Sequence, residues 1–152
     1  MLFQAAVIPQ SFQIVHLRKP DKIRHFIYSS MDAGRNWARV QDLGGYGQMY
    51  MSILRLGEGR LLLTYTQRAI LQPLGVRAVQ GREMEEGFRF EMKHDLMMID
   101  IKTPAGVSSG GGFGPTVRLA DGTLVTSYTY RDAENQKHAE VVRWNMPDFK
   151  KE

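Results

Sequence analysis

The sequence predicts an all-β chain, specifically a partial β-propeller of about three blades, each a four-stranded antiparallel sheet. Three observations predict it. Short runs rich in Ile, Val, Thr, Tyr and Phe recur along the 152 residues, separated by Gly, Asp, Asn and Pro. No window long enough for a helix keeps a clean i, i+3, i+4, i+7 apolar spacing free of Gly or β-branched interruptions. The chain also repeats itself. Ile23-Arg24 aligns with Val76-Arg77, 53 positions on, and without a gap Ser30 to Trp37 then falls on Glu83 to Phe90. A second repeat, offset by 63, sets Leu54 to Leu61 on Val117 to Leu124, Tyr65 on Tyr128 and Arg68 on Arg131. Repeats of this length, with four short strands per unit, are the pattern of propeller blades.

The elements follow in order. The first blade, residues 1–43, is expected to hold strands at Leu2–Ile8, Phe12–Arg18, Ile23–Ser29 and Trp37–Leu43. The second, residues 44–104, holds Met49–Leu56, Arg60–Arg68, Val76–Arg82 and Arg89–Asp100. The third, residues 105–146, holds Gly114–Leu119, Thr123–Arg131 and Lys137–Asn145, and residues 147–152 form a tail. Gly57-Glu58-Gly59 and Asp121-Gly122 stand between apolar runs and read as tight hairpin turns. The Gly/Ser-rich stretch from Ala105 to Gly114 absorbs the unequal repeat offsets as a loop.

Composition narrows the chemistry. The chain has no cysteine, so disulfides, thiolate nucleophiles, Cys–zinc sites and iron–sulfur clusters are excluded. Its net charge of +4 comes from basic residues scattered singly rather than gathered on one face, which argues against nucleic-acid binding. No apolar run approaches a membrane span. Leu2 to Ile8 lacks a basic leader and a cleavage site, so it reads as a strand and no signal peptide is expected. His16, His25, His94 and His138 lack metal-ligand spacing, and Gly110 to Gly114 is not followed by the Lys-Ser/Thr of a phosphate loop. No cofactor or metal is expected.

Ser30-x-Asp32-x-Gly34-x-x-Trp37, with the strand before it, resembles the Asp-box motif of the sialidase (neuraminidase) superfamily. Leu54 to Arg68 and Val117 to Arg131 look like the first hairpins of blades in the same propellers, and Val141 to Trp144 resembles a closing strand. The resemblance covers nearly the whole chain and implies the C-terminal half of a six-bladed protein. Ser30, Asp32, Gly34 and Trp37 are expected to be structural. Asp32 accepts N–H bonds inside its own turn, Gly34 supplies a permissive backbone, and Trp37 tucks into the core between sheets. The second copy replaces Asp32 by Glu85 and Trp37 by Phe90, so its turn is expected to be bonded differently.

In the resembled propellers ligands bind on the face opposite the Asp-box turns. Here that face carries Asp42, Tyr46, Gln48, Tyr50, Arg68, Tyr130, Arg131 and Asp132. The expected substrate-binding set is Tyr46, Tyr50, Arg68, Tyr130, Arg131 and Asp132. Arg68 and Arg131 recur in phase, so they either converge to grip a carboxylate or each cap a strand end in solvent. The resemblance implies a mechanism with a Tyr nucleophile activated by Glu, an Asp acid/base and three Arg, and this set cannot be assigned whole. Tyr65 and Tyr128 recur on one strand, which favours core packing over catalysis. The expected function is recognition of glycans or acidic sugars, with hydrolysis only where missing blades or a partner chain complete the site. The alternative is a non-catalytic binding or scaffold module. Three blades leave open sheet faces, so a homodimer or membership of a longer chain is expected.

Overall fold

The computed structural model describes residues 11–19, 22–44, 48–67, 75–84, 87–94, 96–100, 116–132 and 134–146. Among these the chain is all-β, with eleven strands, one 3₁₀ turn and no α-helix. Among the described residues no helix is long and apolar enough to cross a membrane.

Three antiparallel sheets form in chain order. The first joins β1 (Ser11–Lys19), β2 (Lys22–Ser30) and β3 (Ala38–Gly44). The second joins β4 (Gln48–Gly57), β5 (Arg60–Gln67), β6 (Gly75–Met84) and β7 (Gly87–Phe90), with β8 (Leu96–Asp100) also paired to β6. The third joins β9 (Val117–Arg118), β10 (Leu124–Arg131) and β11 (Lys137–Trp144). The expected Leu2–Ile8 strand and the tail at 147–152 lie outside the described residues.

The turn chemistry is local and legible. Glu58 and Gly59 both take positive φ, at 54° and 69°, between the paired residues Gly57 and Arg60. Two consecutive positive φ values define the type I′ turn whose twist matches a hairpin.

One expected strand is broken. Arg89–Asp100 was expected as a single outer strand, but it is β7 and β8 separated by the 3₁₀ turn Met92–His94. Phe90 faces Gly81, and Leu96 faces Ala78. Five residues on the outer strand therefore span a gap that only Val79 and Gln80 span on β6, and the three extra residues bulge out as the turn. In the third sheet, Val117–Arg118 is the part of the expected Gly114–Leu119 strand that forms β9 among the described residues, and Gly114 and Pro115 lie outside them.

The second sheet lies between the other two. On β5, Leu61, Leu63 and Tyr65 join Ile27 and Leu43 of the first sheet in one core with Val79, Phe88 and Phe90. The alternate residue Leu62 joins Leu56, Ala78 and Leu124 of the third sheet, with Trp144 against them. Alternation along one strand therefore feeds two seams, and both faces of β5 are buried from Leu61 to Gln67. The matching hydroxyls Thr64, Thr116 and Thr126 run across the second seam, with Oγ1–Oγ1 separations of 3.2 and 2.7 Å. Trp144 Nε1 donates to Thr126 at 3.0 Å.

The turns cluster at two ends of the stack. Glu83 N–H donates to Gly59 O at 2.6 Å, and Arg118 Nη1 donates to Leu56 O at 2.7 Å. A Cβ on Gly87 would lie 3.4 Å from Val40 and 3.8 Å from Ser29. These contacts bring the β2–β3, β4–β5, β6–β7 and β9–β10 connections to one end. The β3–β4, β5–β6 and β10–β11 connections leave from the other.

Candidate functional site

The Ser30–Trp37 turn is a closed hydrogen-bonded box. Ser30 Oγ donates to Asp32 Oδ1 at 2.8 Å and accepts from Gly34 N–H at 2.7 Å. Asp32 Oδ1 accepts Asn36 N–H at 2.8 Å, and Oδ2 accepts the Asn36 side-chain amide at 2.5 Å. The Asn36 bonds, backbone first, and then the Ser30 hydroxyl hold the Asp32 carboxyl down at about 2. Ala33 and Gly34 take φ of 58° and 87°. The Ser30 hydroxyl, both Asp32 carboxylate oxygens and the Trp37 indole N–H are all engaged within the turn, as a structural role requires.

Trp37 departs from expectation. It was expected in the core between sheets but is 36% exposed. Its Nε1 donates to Gly34 O at 3.0 Å, and its ring lies 3.6 Å from where a Gly34 Cβ would stand. The indole closes over its own turn because its N–H finds a carbonyl there. The core position falls to Phe90, its partner in the repeat, at 1% exposure. In the second copy Glu85, the counterpart of Asp32, lies outside the described residues. Met84 and Gly87 pair directly across a short hairpin.

At the opposite end, the inward face of the third sheet changes character along its length. It begins apolar with Leu124 and Trp144, continues through the Thr126 hydroxyl, and ends in acid and base groups. There Tyr128 OH donates to Glu140 Oε2 across the β10–β11 pair. Beyond it, His138 Nε2 stands 2.6 Å from Asp132 Oδ2. Asp132 Oδ1 accepts Gln136 N–H at 2.8 Å, closing the β10–β11 loop. The bond to His138 first, then that from Gln136, lowers the Asp132 pKa. Across the seam Thr66 is 5% exposed, and its Oγ1 has no hydrogen-bond partner among the described residues. By alternation it lies on the face of β5 that carries Thr64, one step nearer this end.

The expected ligand residues fare unequally. Arg131 and Asp132 stand at this end of the sheet. Arg131 Nη1 donates to Asn135 O at 2.9 Å and to its Oδ1 at 3.2 Å. Among the described residues its Nε and Nη2 make no hydrogen bond. Tyr50 lies on β4 and Tyr130 on β10 opposite His138, but their side chains, with all of Tyr46 and Arg68, lie outside the described residues. Asp42 pairs with Arg24 at 2.7 Å. The repeat marks Tyr128 as core, and no sequence motif singles out Glu140. Tyr128 is buried, at 7% exposure, yet it is also one half of a hydroxyl–carboxylate pair. The hairpin register that sets Arg131 opposite Lys137 also sets Tyr128 opposite Glu140, and that was the available signal. Among the described residues no group of three His, Asp or Glu side chains could hold a metal.

No family model, curated protein or solved structure matches the chain.

Proposed function

We propose that this chain is a sialidase-like propeller module that recognises glycans, acidic sugars in particular, at the loop end of the seam between its second and third sheets. The observation that carries this reading is the polar row Tyr128–Glu140 and His138–Asp132, which lies at the end opposite the Asp-box turn. Carboxylates and a phenol in one row suit sugar hydroxyls, and Arg131, which alternation sets on the other face at the same end of the sheet, keeps Nε and Nη2 unbonded among the described residues for a sugar carboxylate. Thr66 adds a buried hydroxyl in need of a partner. The closed box at Ser30–Trp37 and the chain-ordered stack of antiparallel sheets support the resemblance to Asp-box propellers.

A second reading, a binding or scaffold module without glycosidase activity, is favoured by Asp132. Both its oxygens are engaged, by Gln136 and by His138, so it does not stand free as an acid/base. Hydrolysis on the first reading needs groups from missing blades or a partner chain.

Calorimetric titration with sialyllactose and with lactose tests the proposal. Saturable binding that favours the acidic sugar, with that preference lost in Arg131→Ala, is the expected result. Failure of the folded protein to bind either sugar overturns it.

A further inference from the structure

We infer that Arg60, Arg82 and Arg89 form a binding row for the sulfate groups of a sulfated glycan, at the Asp-box end of the second sheet. The row lies at the opposite end of the stack from Arg131, and the inference does not rest on the sugar-binding reading above.

The fold assembles what the sequence scatters. The three arginines sit on β5, β6 and β7, and the registers set Arg60 opposite Arg82 and Arg82 opposite Arg89. Directly paired residues share a face, so the three side chains leave the sheet together. By alternation this is the face that carries Leu62 and Ala78 toward the third sheet. At this end it is not covered, and all three arginines are exposed. Neighbouring strands lie about 4.8 Å apart, so the row spans about 10 Å.

Like charges set directly opposite one another cost stability. The chain compensates these only in part. Arg89 Nε stands 3.2 Å from Glu91 Oε1. Arg60 Nη2 stands 3.7 Å from Glu58 Oε2, too far for a hydrogen bond. Arg82, in the middle, has no ion pair among the described residues, and neither its guanidinium nor that of Arg60 makes a hydrogen bond there. Glu83 follows Arg82 but lies on the other face, where it takes Arg55 at 2.6 Å. Glu85 and Glu86, in the turn beyond, lie outside the described residues. Arg24, Arg118 and Arg131, by contrast, each have a carboxylate or carbonyl oxygen within 2.9 Å.

The ligand that fits repeats its anions. Adjacent guanidinium groups can donate N–H pairs to one oxyanion, and three in a row match a chain of sulfate esters. The row stands on an open sheet face, whereas a single small ligand is held by enclosure. Nucleic acid fits less well. Among the described residues β5, β6 and β7 put no aromatic side chain on this face for a base to stack on, because Tyr65, Phe88 and Phe90 lie on the other.

The test is calorimetric titration of the full chain with a sulfated heparin tetrasaccharide, its desulfated form and a single-stranded DNA oligonucleotide of equal charge. Wild type should bind the sulfated sugar saturably, less tightly as salt is added, and should not bind the desulfated one. Arg82→Gln should weaken binding about tenfold, because charge-assisted hydrogen bonds are lost. Its thermal midpoint should be no lower than wild type, because a like-charge contact is relieved. Arg143→Gln removes the same charge from the outer face of the third sheet and should bind as wild type does. Failure of wild type to bind, equal losses in the two variants, DNA bound as tightly as the sulfated sugar, or a lower midpoint in Arg82→Gln would each overturn the inference.

Discussion

The side chain of Gln41 acts as a strand for Phe90. Its amide nitrogen donates to Phe90 O at 2.6 Å, and its amide oxygen accepts Phe90 N–H at 2.8 Å, joining the first sheet to the second across 49 residues of sequence. The pair reproduces both bonds a backbone neighbour would make and satisfies an edge residue that is otherwise buried. It also fixes β7 just before the chain bulges into the Met92–His94 turn.

Gln41→Ala should therefore destabilise the protein by about 2 kcal/mol, two bonds of about 1 kcal/mol each, read by urea unfolding. Gln41→Glu is more informative. A carboxylate beside the Phe90 carbonyl lacks a donor, so the folded state favours its protonated form and raises its pKa. The variant should be closest to wild type below the ordinary Glu pKa of about 4.3 and lose stability as pH rises through the raised value. A variant equal to wild type at pH 7 would remove the clamp from the account.

Asp32 gives the opposite sign. Its folded carboxyl is held at about 2, below its ordinary value. Its contribution is present above the unfolded pKa and is lost as pH falls toward 2. Thermal midpoints between pH 5 and pH 2 should fall more steeply for wild type than for Asp32→Asn, which cannot titrate.

Gly81 has no room for a side chain. A Cβ there would stand 2.5 Å from Phe90 Cδ1 and 2.7 Å from the Arg89 carbonyl oxygen. Gly81→Ala should cost about 1–3 kcal/mol through overpacking, and denaturant unfolding would show it. A neutral result would mean that Phe90 does not lie over Gly81.

The hydroxyl chain across the second seam is a further test. Thr126→Val removes the acceptor of Trp144 Nε1 and the partner of Thr116. A cost of about 1–3 kcal/mol is expected, because the partly buried Trp144 N–H loses its acceptor and Thr116 keeps only its longer contact to Thr64. Thr126→Ser, which keeps the hydroxyl, should recover most of the hydrogen-bond loss in the same unfolding measurement.

Much of this architecture was legible in the sequence because it is written locally. Gly59 and Gly122 mark hairpins, and Ser30, Asp32 and Gly34 mark the box; the two seams fed by Leu61 and Leu62 and the Asn36 bonds emerge with the structure. What escaped depends on distant partners. Nothing near Gln41 points to Phe90. The break in the outer strand arises from three residues more than β6 can match, which is visible only once both ends are paired. Trp37 looked like core because large aromatics usually are, but a carbonyl three residues away takes its N–H. Loop position singles out Arg131 and Asp132, and the structure sets both at that end of the third sheet. Glu140 and His138 became visible only through the β10–β11 register.

The most direct test of the central claim is a nuclear magnetic resonance titration of the isotope-labelled chain with sialyllactose. The account predicts saturable shifts at Thr66, Tyr128, Arg131 and His138, with the Ser30–Trp37 turn unmoved. Shifts confined to that turn, or none at any sugar concentration, would contradict it.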